Sequence, residues 1–250
     1  MLPCHHRTNS WVNGRLCLVP LRVQAIGKMM TPPPSAILLV ITHLGAAGIM
    51  LPMLALITAE LWLAGQKSAL LTWMLAMTAG VVIVLAGKIA FIGWGWGSAS
   101  LNFTGISGHT MLASSIFPVW MGWLLAGPAS RFSLRGVMLG LAIGAVVGWS
   151  RLVLGAHSPS EVVLGWLLGV AISAVACKAM KDRISPRGWD TLGTALLLLA
   201  FSPSLSGYLP THQWEVRLAL ALSGHARPHV RQDLHRPDPA DSRSSYLAWH

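Results

Sequence analysis

From Ala69 to Gly87 the chain carries no charged residue, and Thr110 to Ser130, Gly136 to Ser150, Val162 to Cys177 and Thr191 to Thr211 share that property. A further apolar run, Ala36 to Ala59, ends at Glu60. A bilayer core asks for about 20 consecutive apolar residues per helix, and several runs approach that length. The shorter ones must borrow residues from the polar stretches beside them. Only 10% of the 250 residues are charged, against about 25% in a soluble domain. The expected fold is therefore all-α, a multi-pass transmembrane bundle of about six helices.

The chain divides into three parts. Residues 1–35 are basic, lack any acid and end in "TPPPS", with no apolar core of the kind a secretory signal needs. Met29 and Met30 suggest that the true start lies there. Residues 36–211 form the expected membrane domain. Residues 212–250 read as a polar tail in which "WEVRLALALSG" forms a short interfacial helix and the remainder is disordered. The net charge of +10 is concentrated in the N-terminal segment and in the cluster Lys178, Lys181, Arg183 and Arg187, as expected of orienting loop charges. No basic face of a soluble domain is visible, so nucleic acid is not an expected partner. Cys4, Cys17 and Cys177 have neither disulfide-framework nor metal-ligand spacing.

Gly136, Gly140, Gly144 and Gly148 recur every four residues, and Gly165 and Gly169 repeat the interval. On a helix this gives a smooth stripe that lets a neighbouring backbone approach closely. Gly93 to Gly97, "GWGWG", lies outside any strand–helix unit and is not a dinucleotide loop. Trp94 and Trp96 suit a membrane–water interface.

Ionisable residues are expensive at membrane depth and mark candidate sites. Glu161 is the single acid between Leu61 and Lys181, and His109 and His157 are the two histidines between Leu44 and Thr211. With Arg131 and Arg135 assigned to a loop, Lys88 and Arg151 complete the set. Lys88 ends one apolar run and His109 starts the next. Arg151 ends the run after that, and His157 and Glu161 precede its successor. Two spans separate the halves, so all five groups emerge on one side of the membrane. Ser107 offers an N-cap that leaves the amides of Gly108 and His109 for an anion. "HSPSE" offers Ser158 as N-cap, Pro159 at the first helical position and Glu161 as the partner in a capping box. Glu161 also lies four residues after His157, within reach of the imidazole, and the two roles are compatible.

Two cations and two helix N-termini describe a pocket for a tetrahedral anion, phosphate above all. An imidazole oriented by a carboxylate is an activated nucleophile, and a second imidazole can protonate a leaving oxygen. One carboxylate is too few for a metal-assisted phosphatase, so the expectation is metal-free phosphoryl transfer through a phosphohistidine, with no cofactor.

At these residues the chain resembles the type-2 phosphatidic acid phosphatase family, whose superfamily includes the vanadium haloperoxidases. The family pattern is Lys-x6-Arg-Pro, Pro-Ser-Gly-His and Ser-Arg-x5-His-x3-Asp. The third block stands here as Ser150, Arg151, His157 and Glu161, and the second as Ser107, Gly108 and His109 after Ile106 in place of proline. In the first, Lys88 is present but Gly95 and Trp96 occupy the Arg-Pro positions. The resemblance implies His157 as nucleophile, His109 as general acid, and Lys88, Ser107, Gly108 and Arg151 as phosphate ligands. Glu161 takes the place of the orienting aspartate. The missing arginine implies weakened phosphate binding, which Gly95→Arg should restore, with Trp96 covering the pocket meanwhile.

Three other readings share these residues. A rhomboid-type serine protease would use "GISG" with Ser107 as nucleophile and His157 as base, which leaves Lys88, Arg151 and Glu161 without a role. A haloperoxidase would need no membrane bundle. A non-catalytic relative would bind lipid phosphate without cleaving it. For the favoured phosphatase, an anion pocket at bilayer level implies a lipid phosphate as substrate. Positive-inside counting, with Lys67, Arg131, Arg135 and the 178–187 cluster on the cytoplasmic face, puts the protein in the plasma (inner) membrane with its site on the extracytoplasmic side.

Overall fold

A computed structural model describes residues 36–126, 132–180 and 211–235. Its regular elements are helices: α1 (Ala36–Leu44), α2 (Ala47–Leu63), α3 (Lys67–Trp94), α4 (Gly108–Leu124), α5 (Leu134–Val153), α6 (Pro159–Met180) and α7 (Thr211–Ser223), followed by a 3-10 turn, Arg231–His235. One isolated bridge, Ser98 with Phe103, pins the loop between α3 and α4. The protein is an all-α membrane bundle. Among the described residues, four segments are long and apolar enough to cross a bilayer: Ala36–Leu63, Lys67–Trp94, Leu134–Val153 and Pro159–Met180. Their outer faces carry exposed Leu71, Leu75, Val82, Met138, Val146 and Leu167, which lipid rather than water can cover. The N-terminal 35 residues, Arg131, the apolar run from Thr191 through residue 210, Lys181, Arg183, Arg187 and the tail beyond His235 lie outside the described residues.

α4 is the axis of the bundle. Twelve of its seventeen residues are buried, and the glycine stripes of both α5 and α6 face it. A Cβ on Gly140 would overlap the backbone of Phe117 and Pro118, and one on Gly144 would stand 2.9 Å from Ser114 Cα. From the other side, a Cβ on Gly165 would lie 2.7 Å from the Ser107 carbonyl oxygen, and one on Gly169 2.7 Å from that of Met111. Absent side chains thus set the distance between three helices. That close packing brings the start of α4 against the start of α6.

The first apolar run is broken between α1 and α2. Gly45 occupies the break, where a Cβ would come 2.6 Å from Val147 Cγ1 and 3.0 Å from the His109 carbonyl oxygen. The close approach sets Thr42 and His43, the residues just before it, beside α5 and α4.

Lys88 does not end its helix, because α3 continues to Trp94. At 1.5 Å per residue Lys88 lies about 31 Å along α3, the thickness of a hydrocarbon core, so the last turns project past it. The polar tail carries α7 and, beyond it, the 3-10 turn. α7 packs on the end of α3 through Ala219 and Val216 against Phe91 and Ile92, and Leu234 of the 3-10 turn joins the same cluster. The intervening chain is tied down by His229, whose amide donates to the Ile92 carbonyl at 3.0 Å, and by His225 Nδ1, 2.6 Å from the Gly93 carbonyl.

Candidate active site

The α6 N-terminus forms as its sequence implies. Pro159 is the first helical residue. The Ser158 amide donates to Glu161 Oε2 at 3.1 Å, and the Glu161 amide donates to Ser158 Oγ at 3.4 Å, a reciprocal capping box. The same carboxylate holds His157. Oε2 accepts from His157 Nδ1 at 2.7 Å, because an ionised carboxylate can only accept. In the neutral ring, a hydrogen on Nδ1 leaves Nε2 as the nitrogen with a lone pair. Glu161 therefore fills both roles.

Glu161 is fully buried, and a buried carboxylate must be matched by donors. Its Oε1 accepts from the Thr104 amide at 2.6 Å and the Thr104 hydroxyl at 2.7 Å. Arg231 Nη2 donates to Oε1 at 2.9 Å and Oε2 at 2.7 Å. Thr104 reaches this position because the α3–α4 loop folds over Lys88. Gly105, at φ +149°, permits that path, and a Cβ there would press on Lys88 Cγ at 3.1 Å.

Burial disfavours the charged form of His109, on the first turn of α4, and Arg151, Lys88 and, when protonated, His157 and His43 stand close enough to add to that effect. The two imidazoles and two cations singled out in the sequence thus share one electrostatic neighbourhood. Arg151, in the last turn of α5, donates through Nη1 to Thr42 Oγ1 at 2.7 Å, while its Nε is buried without a partner among the protein's atoms. An unsatisfied buried donor on a cation is what an anionic ligand would complete. Lys88 Nζ is engaged instead by Glu215 of α7 at 2.8 Å. Ser107 caps α4, but its hydroxyl pairs with Thr110 Oγ1 at 2.9 Å rather than with the helix amides. The amides of Gly108 and His109 stand in the first turn, where no intrahelical acceptor exists. His157 and Ser107 belong to separate hydrogen-bonded pairs, an arrangement unlike a serine nucleophile with its base.

Thr42, His43, Thr104, Glu215 and Arg231 were not singled out by the sequence. All five arrive by tertiary contact. The nearest local signal was Thr104, as the first residue of "TGISGHT".

Gly95 does not stand as a vacancy for an arginine. It is the left-handed C-cap of α3 at φ +73°, and a Cβ there would lie 3.1 Å from the His229 ring. Trp96 is 73% exposed beside Trp94 and does not cover the site. Gly95→Arg is therefore expected to destabilise the fold by about 1–2 kcal/mol through the left-handed backbone alone. It should also displace His229 and lower kcat/KM. A rise in kcat/KM in a steady-state assay would show that a guanidinium at 95 matters more than the cap.

The PAP2 superfamily matches residues 88–185, the stretch from Lys88 through α6. A Klebsiella pneumoniae protein described as "Uncharacterized 22.5 kDa protein in cps region" is 34% identical over 206 residues, covering 78% of this chain and 96% of that one. No solved structure matches the chain. The family match begins and ends around the helices that bring His109, Arg151 and His157 together, and the relative is alike over nearly its whole length: this chain belongs to the PAP2 superfamily, whose members are generally phosphoric monoester hydrolases.

Proposed function

We propose that the protein is an integral-membrane lipid phosphate phosphatase, hydrolysing a phosphate monoester or pyrophosphate of a lipid through a phosphohistidine and without a metal ion. The observation that carries this reading is His157, with Nδ1 committed to a buried carboxylate and Nε2 left for attack, beside the unpartnered Nε of Arg151. Nε2 attacks phosphorus, the bond from phosphorus to the lipid oxygen breaks, and His109, protonated once the substrate's negative charge offsets its cationic neighbours, gives that oxygen a proton. Water then attacks phosphorus and gives a proton to His109, and the bond from phosphorus to Nε2 breaks, releasing phosphate and free His157. Arg151, Lys88, Ser107 and the amides of Gly108 and His109 stabilise the charge on the transferring group. Glu161 is consumed by protein donors and Glu215 by Lys88. Among the described residues no three of His, Cys, Asp and Glu are grouped to hold a metal.

The substrate class follows from position. A site at one end of a lipid-facing bundle suits a phosphate at the bilayer surface whose tail remains in hydrocarbon. Phosphatidic acid, a related glycerophospholipid phosphate and a polyprenyl (pyro)phosphate all meet that description. Lys67, Arg135 and Lys178 stand at the helix ends opposite the site, which supports an extracytoplasmic active site in the plasma membrane.

A non-catalytic, lipid-phosphate-binding relative is the second reading, favoured by the carboxylate already seated on Lys88. Purified protein in nanodiscs, given each lipid phosphate in turn, separates the two. We expect inorganic phosphate release that survives excess chelator and is blocked by vanadate, a mimic of trigonal-bipyramidal phosphorus. Lipid binding without release would favour the second reading, and activity lost to chelator but restored by magnesium would overturn the metal-free mechanism. In sealed vesicles of known orientation, hydrolysis only of substrate on the cytoplasmic face would reverse the proposed sidedness.

A further inference from the structure

We propose that Arg231, beyond the matched family region, is a positioning residue of the active site: it clamps Glu161 and through it fixes the ring of His157. The inference rests on the phosphohistidine reading above. A nucleophilic imidazole must be neutral when it attacks, so His157 cannot then supply the counter-charge to the fully buried Glu161 carboxylate. An uncompensated buried carboxylate is among the costliest groups a protein can hold. Arg231, a guanidinium in contact with both carboxylate oxygens, supplies that charge. Thr104 and Ser158 supply only neutral donors.

Geometry makes the contact a clamp as well as a counterion. Nη2 reaches both carboxylate oxygens, while Nη1 donates to the Asn102 carbonyl at 2.6 Å and ties the guanidinium to the loop that carries Thr104. The turn bearing Arg231 is itself fixed, with the Val230 amide donating to Asp233 Oδ2 at 2.9 Å and Leu234 packed near Gly97. Glutamate has one more rotatable bond than the aspartate of the family pattern. Without a second grip its carboxylate, and the imidazole bonded to it, has more orientations to lose on reaching the reactive one. Arg231 removes that freedom before substrate arrives.

The test uses the full chain, with wild type, Arg231→Ala and Arg231→Lys assayed side by side for phosphate release from short-chain phosphatidic acid. In the alanine variant kcat should fall roughly tenfold to a hundredfold, the loss of one charge-assisted contact, with KM within about threefold of wild type. Lysine keeps the charge but not the fork, and should recover part of kcat. Independently of turnover, the hydrogen-bonded Nδ1 proton of His157 should give a slowly exchanging downfield signal in NMR of the wild type that is lost in Arg231→Ala. Wild-type kcat and a retained signal in the alanine variant would overturn the proposal. So would a loss of activity seen wholly in KM. If the wild type releases no phosphate, the phosphatase reading fails while the imidazole signal still decides the clamp. Should the alanine variant not fold, a lysine variant with wild-type kcat and signal would overturn it.

Discussion

Replacing His157 with alanine should reduce phosphate release to background, a loss of about 10⁴-fold or more for a covalent nucleophile. His157→Asn should be equally inactive, since its amide nitrogen has no lone pair to offer phosphorus. Neither change should unfold the protein, because Glu161 keeps Thr104, Ser158 and Arg231 as partners when the imidazole is gone. Brief reaction with labelled substrate followed by denaturation should trap an acid-labile phosphoprotein in the wild type and nothing in either variant. His109→Ala should still form that species, but slower by roughly 10²–10⁴-fold, the contribution of a general acid. Label retained by His157→Ala would remove His157 as the nucleophile.

The second large effect is on folding. Gly140→Leu places a side chain where the backbone of Phe117 and Pro118 already lies, and backbone cannot rotate away as a side chain can. The cost should exceed about 3 kcal/mol, above ordinary overpacking, because α4 and α5 must separate along their whole contact. Gly87→Leu is the control, since nothing lies within 4 Å of a Cβ there. Thermal unfolding in mild detergent should show a large drop in Tm for the first and little change for the second. Equal Tm values would mean that the glycine stripe does not set the helix spacing.

These two effects rest on features of different legibility. The stripes on α5 and α6 and the capping box at Ser158 and Glu161 are local patterns, set by helical period and by hydrogen bonds spanning three residues. They are readable because the membrane excludes most alternatives. The central place of α4 is not written locally, for its own sequence has no glycine period and only its partners' stripes point to it. Lys88 was misplaced at a helix end because a charge after an apolar run resembles a terminus. The helix continues through Ile89 to Trp94 because Glu215 matches the charge and α7 covers Phe91 and Ile92. Arg231 lay hidden for the converse reason. In a polar segment without periodicity, one arginine among several carries no mark of what it will meet some seventy residues away. The gap at Gly95 was visible, but its meaning was not, since a left-handed cap is a property of backbone torsion.

The bridge between Lys88 and Glu215 gives the resting site its own resident anion. On the proposed reading, an arriving phosphate does not fall into an empty positive well. It exchanges places with a carboxylate that stays tethered to α7 and waits at high effective concentration to return. Ground-state affinity is then the difference between two ion pairs, and is weakened accordingly. The same competition expels inorganic phosphate after hydrolysis, when no lipid tail remains to hold it. On that reading the tail helix would act as a built-in ion exchanger, trading tight binding for turnover.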